Sequence, residues 1–158
     1  TVTGAEPLTA WSLWQGDTWV AQVPNSLFGD YNPFSTPVTG DWYYGSRVVH
    51  TGEVYLDDQS LYEADNLEQV LSGEKWIGAW PLNRGLDLTG CRWFAQVGEN
   101  VTTLYANFGG RDPREHNIEI NVRRRCFLFY WCKTPKNCFY SGYQFFGIKR
   151  FHNIIICS

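Results

Sequence analysis

The segment 92-RWFAQVGENVTTLYANF-108 predicts a β-hairpin. Its two halves, Arg92–Val97 and Val101–Phe108, are rich in aromatic and β-branched residues. Gly98-Glu99-Asn100 separates them, and a short loop containing Gly between two such runs is typical of a hairpin turn. We therefore expect the chain around this segment to be mainly β.

Other short runs on both sides of the hairpin show the same alternation of apolar and polar residues. The predicted strands are Thr18–Val23, Val48–Leu56, Ser60–Glu63 and His116–Val122, with a turn at Asp57-Asp58. Asn66–Leu71 is the one predicted helix, because Asn66 can cap it. Residues 24–45 form a long loop with six aromatic residues, which indicates order. Together these features predict an all-β fold: an antiparallel β-sandwich, jelly-roll-like, with one short helix.

Composition limits the possible functions. The 158 residues are 17% aromatic and 18% charged, with eight Trp and nine Tyr. Trp and Tyr carry a polar group that prefers a partner or water, so some of these rings should lie half-exposed on a binding face. The net charge of −3 argues against a nucleic-acid partner. No apolar run approaches the roughly 20 residues that cross a bilayer, which argues against a membrane partner.

The composition changes abruptly at residue 125. All 16 acidic residues lie in 1–125, whereas 126–158 contain ten aromatic residues and four of the five Cys. We therefore expect a β-sandwich domain over 1–125 and an atypical tail over 126–158. The tail is interpreted as extra strands or a frame-altered remnant of another domain, and its aromatic residues could form a homodimer contact. No Cys-x-x-Cys pair is present, so no metal or other cofactor is expected.

Paired carboxylates are the first candidate catalytic groups, because glycoside hydrolysis usually needs two of them. The candidates in aromatic or turn surroundings are Asp30, Asp41, Glu53, Glu63 and Asp65. The alternative is that they cap turns and lie on solvated strand faces. His50 lies three residues before Glu53, and such residues point to opposite faces of a strand, so a hydrogen-bonding role for His50 is favoured over catalysis.

Aromatic clusters are the second candidate site. They are Trp42-Tyr43-Tyr44, the pair Trp76 and Trp80, and Trp93-Phe94. Sugar rings present flat C–H faces that stack on aromatic rings, and polar neighbours such as Asp41 and Arg84 can bind hydroxyl groups. The residues predicted to contact a carbohydrate ligand are Asp41, Trp42, Tyr43, His50, Glu53, Trp80 and Arg84. The alternative is that the rings belong to the core, with one ring of each adjacent pair pointing outward.

Six segments in order resemble the β-sandwich domain inserted into right-handed parallel β-helix glycoside hydrolases. They are Pro24–Asp30, Gly40–Trp42, His50–Leu56, Ser60–Glu63, Thr102–Pro113 and Glu119–Arg123. The resemblance is to the family 120 type, which includes bacterial β-xylosidases and is related to the family 141 insertion. The resemblance covers about residues 2–127, and residues 2–6 look like the last β-helix strand before the insertion. After residue 127 the sequence departs from the family pattern.

The resemblance implies that the catalytic carboxylates lie on a parallel β-helix domain that this chain lacks. It also implies that the sandwich forms one wall of the substrate cleft. The residues expected on the cleft side are Asp41, Trp42, His50 and Glu53. The chain begins at Thr1 and has no Met, which indicates a processed or excised piece, so its localisation stays open between the bacterial cytoplasm and secretion.

Three functions follow from these observations. The first is an accessory, carbohydrate-binding sandwich of a xylan-type polysaccharide hydrolase. The second is a small stand-alone glycosidase that uses two carboxylates, with Asp41 and Glu53 as the pair to test. The third is a purely structural domain.

Overall fold

The computed structural model describes residues 4–41, 47–75 and 88–124. Nine strands and one helix follow each other along these residues. They are β1 (Ala5–Pro7), β2 (Ser12–Gln15), β3 (Thr18–Pro24), β4 (Val54–Leu56), β5 (Gln59–Ser60), β6 (Tyr62–Glu63), α1 (Leu67–Leu71), β7 (Arg92–Val97), β8 (Val101–Asn107) and β9 (Ile118–Asn121). Two 3-10 helices, Asn25–Phe28 and Pro113–Glu115, lie in the connections.

The predicted hairpin is confirmed and forms the centre of the larger sheet. β7 and β8 pair antiparallel from Arg92 opposite Asn107 to Val97 opposite Thr102. The Gly98 amide donates to the Val101 carbonyl at 2.8 Å, and the Asn25 side chain donates to the Gly98 carbonyl at 2.8 Å. The turn is therefore held both by its own backbone and by the 3-10 helix that follows β3.

Two sheets pack face to face, as the predicted sandwich requires. The five-stranded sheet has the order β2-β3-β8-β7-β6, and the four-stranded sheet has the order β1-β9-β4-β5. Their facing side chains form one hydrophobic core; its largest enclosed members are Trp93, Phe108, Leu56, Leu88, Leu104 and Ile120. Phe34 packs edge-on against Trp93 with the ring centroids 5.4 Å apart. The all-β sandwich with one short helix is confirmed, and among the described strands β6–β7 pair in parallel rather than antiparallel.

Two strand predictions need correction. Val48–Leu56 is extended only over Val54–Leu56, and His50 forms an isolated bridge to Pro37 instead. Gly52 lies so close to Phe34 that a Cβ at this position would come within 2.5 Å of the ring, so the chain is bent there around a core residue.

The predicted strand Ser60–Glu63 is in fact two strands in different sheets. β5 returns along β4, whereas β6 runs alongside β7 in the opposite sheet. Leu61, which is buried, lies at the crossing point. The Asp57-Asp58 turn before β5 is confirmed, with φ values of 47° and 71°.

The helix is where the sequence predicts it. The Asn66 side chain accepts a hydrogen bond from the Gln69 amide at 3.0 Å. α1 packs on β7 and β8, and the Asn107 side chain donates to the Val70 carbonyl at 3.4 Å. This helix covers one end of the outer face of the five-stranded sheet.

The first and last strands of the described chain are neighbours. β1 pairs antiparallel with β9, so Ala5 lies opposite Asn121. The Val122 amide donates to the Gly4 carbonyl at 3.0 Å, and Arg123 pairs with Glu6. The chain thus enters and leaves the sandwich at one place. Within the described ranges, no helix is long and apolar enough to span a membrane.

Candidate functional site

A pocket of about 330 Å³ opens beside the edge strand β6 of the five-stranded sheet. Three pieces of chain form its walls: the segment around residue 48, the end of β6 with the residues after it, and the middle of β7. The lining residues are Arg47, Val48, His50, Glu63, Ala64, Asp65, Phe94 and Ala95. The pocket therefore combines two carboxylates, two basic groups and an aromatic ring.

His50 and Glu63 form the central polar pair of the pocket. The His50 Nδ1 lies 2.6 Å from Glu63 Oε1, and the His50 amide donates to Glu63 Oε2 at 2.9 Å. Both carboxylate oxygens thus bind His50, one at its imidazole and the other at its backbone amide. Because Nδ1 faces the carboxylate, Nε2 is the ring nitrogen left to the pocket. It accepts a hydrogen bond in the neutral ring and donates one in the charged ring.

The backbone around His50 is held from several sides. Val38 and Thr51 make backbone hydrogen bonds across the bridge, at 2.7 Å to Val49 and 2.8 Å to Thr36. The Asn121 side chain donates to the Thr51 carbonyl at 2.7 Å and accepts from the Glu53 amide at 2.6 Å. This buried Asn on β9 therefore fixes the irregular segment that carries His50.

Two arginines hold the residues at the end of β6. Arg47 Nε lies 2.8 Å from Asp65 Oδ1, and its Nη2 donates to the Glu63 carbonyl at 2.8 Å. Arg92 is buried and donates to the Glu63 carbonyl at 3.4 Å and to Gln69 Oε1 at 2.8 Å. Burial is the main reason that the pKa of Arg92 lies below its usual value, and the positive charge of Arg47 adds to this effect.

Glu53 lies near this pair but does not line the pocket. The residue is half-buried, and its carboxyl group is enclosed by protein. Burial raises the pKa of Glu53 to about 7; a hydrogen bond from Ser60 opposes this shift, and the charge of Glu63 adds to it. At neutral pH this carboxyl is therefore partly protonated.

The structure distributes the predicted site residues unevenly. His50 lines the pocket, and its partner is Glu63, thirteen residues away, rather than Glu53. Asp41 is exposed and does not line the pocket. The remaining predicted contacts lie outside the described residues: Trp42, Tyr43, Trp80 and Arg84.

Sequence reasoning did not include Phe94, Arg47 and Asp65 among the predicted ligand contacts. For Phe94 a signal existed, because in the adjacent pair Trp93-Phe94 one ring was expected to point outward. Trp93 is indeed buried, whereas Phe94 is half-exposed. For Arg47 and Asp65 the signal is absent, since eighteen residues separate the two partners of this ion pair.

The ionisable groups of the pocket are paired with one another. Glu63 pairs with His50, and Asp65 pairs with Arg47. The described residues also contain no group of three His, Cys, Asp or Glu side chains that could hold a metal ion. The pocket thus places fixed hydrogen-bonding groups beside the Phe94 ring.

The model of the glycoside hydrolase 120 insertion domain matches residues 8–120 of this chain. The chain belongs to this family. The resemblance read from the ordered sequence segments is therefore confirmed.

A solved structure described as the complex of XylC with xylose is similar to this family 120 insertion domain. The TM-score is 0.70, with 36% identical residues over 80% of this chain. The match covers 21% of the XylC chain, so the domain corresponds to about one fifth of that protein. No curated protein matches the chain.

Proposed function

We propose that this insertion domain forms one wall of the sugar-binding cleft of a family 120 glycoside hydrolase. We also propose that the pocket beside β6 of this domain binds a xylose-type sugar. The observation that carries the proposal is the pocket formed by His50, Glu63, Arg47, Asp65 and Phe94. It lies in a domain that matches part of a solved structure described as a complex with xylose, with 36% identity over 80% of this chain.

The pocket has the size and chemistry that a small sugar requires. Its volume of about 330 Å³ is at the small end of the range for ligand sites. The Phe94 ring can stack on a C–H face of a sugar. His50 Nε2 and the half-exposed Asp65 carboxylate can accept hydrogen bonds from hydroxyl groups. The fixed side chains keep the ordering cost of binding low.

The path of the chain supports an insertion into a larger host. Because β1 and β9 are paired neighbours, the two ends of the sandwich lie close together. A host domain can therefore accommodate the sandwich as an insertion without separating its own flanking segments. We propose that this host is the parallel β-helix catalytic domain and that it carries the hydrolytic carboxylates. The substrate would then be a xylan-type glycan.

Titration of the full 158-residue chain with xylose, followed by ¹H–¹⁵N NMR, tests this proposal. We expect shifts of the Arg47, His50 and Phe94 signals. His50→Ala should weaken binding roughly five-fold, because one hydrogen bond contributes about 1 kcal/mol.

His116→Ala is the matched control. His116 is another half-exposed histidine that pairs with a carboxylate, since its Nδ1 lies 2.8 Å from Asp57 Oδ2, and it does not line the pocket. Its replacement should leave the affinity unchanged. A xylose affinity that is unchanged in His50→Ala would contradict the assignment of the binding site to this pocket. Turnover of an aryl xyloside by this chain alone would contradict the placement of the hydrolytic groups elsewhere.

A further inference from the structure

An aromatic row crosses the outer face of the five-stranded sheet. In the strand register Val20 lies opposite Tyr105, and Tyr105 lies opposite Phe94, so these three side chains share one face. Trp14 of β2 reaches the same face, because its ring centroid lies 5.0 Å from that of Tyr105. Their sequence neighbours Ala21 and Leu104 point the other way, into the core.

The aromatic row is exposed, whereas the row on one side of it is covered. The adjoining row, Thr18–Asn107–Arg92, is buried, and α1 packs at that end of the sheet. Trp14, in contrast, is 45% exposed, and Tyr105 and Phe94 are half-exposed. The described residues therefore leave the aromatic row in contact with solvent.

A second row beside it is polar and uncharged. Two residues further along the same strands, Gln22 lies opposite Thr103 and Thr103 lies opposite Gln96. Both Gln side chains are exposed. The two rows lie about 7 Å apart, because strands rise 3.2–3.4 Å per residue. Neutral amides and a hydroxyl thus flank the rings along their length.

We propose that this face, the Trp14–Tyr105–Phe94 platform, binds a neutral oligosaccharide. The rings offer stacking surfaces for the C–H faces of successive sugars, and the amides of Gln22 and Gln96 offer donors and acceptors for their hydroxyls. A charged ligand has no counter-ion in either row. The choice of sugar rests on the proposed function, because the domain belongs to a glycoside hydrolase family.

The platform leads into the pocket. Phe94 belongs to both, as the last ring of the row and as part of the pocket wall. From β2 to β7 the row spans three strand spacings, roughly 14 Å, which exceeds a single sugar ring. An oligosaccharide whose end occupies the pocket can therefore continue across the sheet over Tyr105 to Trp14.

Calorimetric titration of the full chain with xylose and with a long linear xylo-oligosaccharide tests the platform. Trp14→Ala should weaken oligosaccharide binding roughly three-fold to ten-fold, as expected for one lost stacking contact. It should leave xylose binding unchanged, because Trp14 does not line the pocket. Gln22→Ala, which leaves the rings intact, should also weaken binding of the oligosaccharide alone.

Leu27→Ala is the matched control, since Leu27 is 48% exposed and lies in the 3-10 helix outside both rows. Suppose that oligosaccharide affinity is unchanged in both Trp14→Ala and Gln22→Ala but falls in His50→Ala. This result would overturn the platform proposal and leave the pocket proposal standing. The face would then belong to a protein contact, such as one with the host domain. Binding of the oligosaccharide with no binding of xylose would support the platform and overturn the pocket.

Discussion

At the residue scale, Glu53 links the site to the stability of the fold. Its carboxyl is enclosed near Glu63, and burial raises its pKa from 4.5 to about 7. Between these two pH values the folded state holds a proton that the unfolded chain has lost. The free energy of unfolding should therefore fall as pH rises through this window and level off above pH 7.

Glu53→Gln should remove this pH dependence. The amide resembles the protonated carboxyl, so the variant keeps the neutral state at every pH. A pKa shift from 4.5 to about 7 corresponds to about 3 kcal/mol, which is the largest gain expected for the variant at pH 8. Urea unfolding at pH 5, 6, 7 and 8 measures the slope of the free energy of unfolding against pH.

Glu99→Gln controls for the general loss of one negative charge, because Glu99 is exposed in the β7–β8 turn. Its slope between pH 5 and 8 should match that of the parent chain. Equal slopes for the parent and Glu53→Gln would show that this carboxyl is not protonated in the folded protein.

At the element scale, the short helix is specified locally and depends on its cap. α1 has five residues, too few for its own hydrogen bonds to stabilise it. Asn66 satisfies the Gln69 amide, and Val70 is fully buried against the sheet. The cap residue and the apolar spacing were readable from sequence, which is why this element was predicted with its cap.

Asn66→Ala should destabilise the protein by about 1 kcal/mol, since it leaves a helix-start amide without its acceptor. Thermal unfolding followed by circular dichroism measures the loss. Asn66→Asp keeps an acceptor oxygen at the same place and should retain the parent stability. A parent-like midpoint for Asn66→Ala would mean that water replaces the cap at no cost.

The edge strands β5 and β6 show that the local sequence pattern does not predict which strands pair. β5 and β6 lie within one alternating run, yet they pair in different sheets. Alternation reports which side chains are apolar but not which neighbouring strand supplies the hydrogen bonds. The crossing at Leu61 follows from the position of β7, which is distant in sequence.

At the scale of the whole molecule, the described core is self-contained. Its members run from Trp11 to Val122, and the paired strands β1 and β9 close it. The tail 126–158 and its predicted homodimer contact lie outside the described residues. We propose that the domain boundary lies near residue 125.

A chain that ends at Arg125 should therefore fold and unfold cooperatively, with a melting temperature close to that of the full chain. Circular dichroism and NMR measure folding, and light scattering after size-exclusion chromatography measures the oligomeric state. If the tail makes a homodimer contact, the truncated chain should be monomeric while the full chain dimerises. An unfolded truncated chain would place the boundary elsewhere.

The β class, the β7–β8 hairpin, the capped helix and the family can all be predicted from the amino-acid sequence. These features depend on residues close in sequence: the alternation within a strand, Gly98 in a turn, Asn66 at a helix start.

Three features depend on the folded chain: His50 pairs with Glu63, Asn121 holds the segment between these two residues, and Phe94 belongs to both the pocket and the aromatic row. These contacts join residues of different strands and loops, up to seventy positions apart. Their geometry depends on how the two sheets pack and where the chain bends around Phe34. Spacing along the chain does not encode distances of that kind, because they arise only when the core closes.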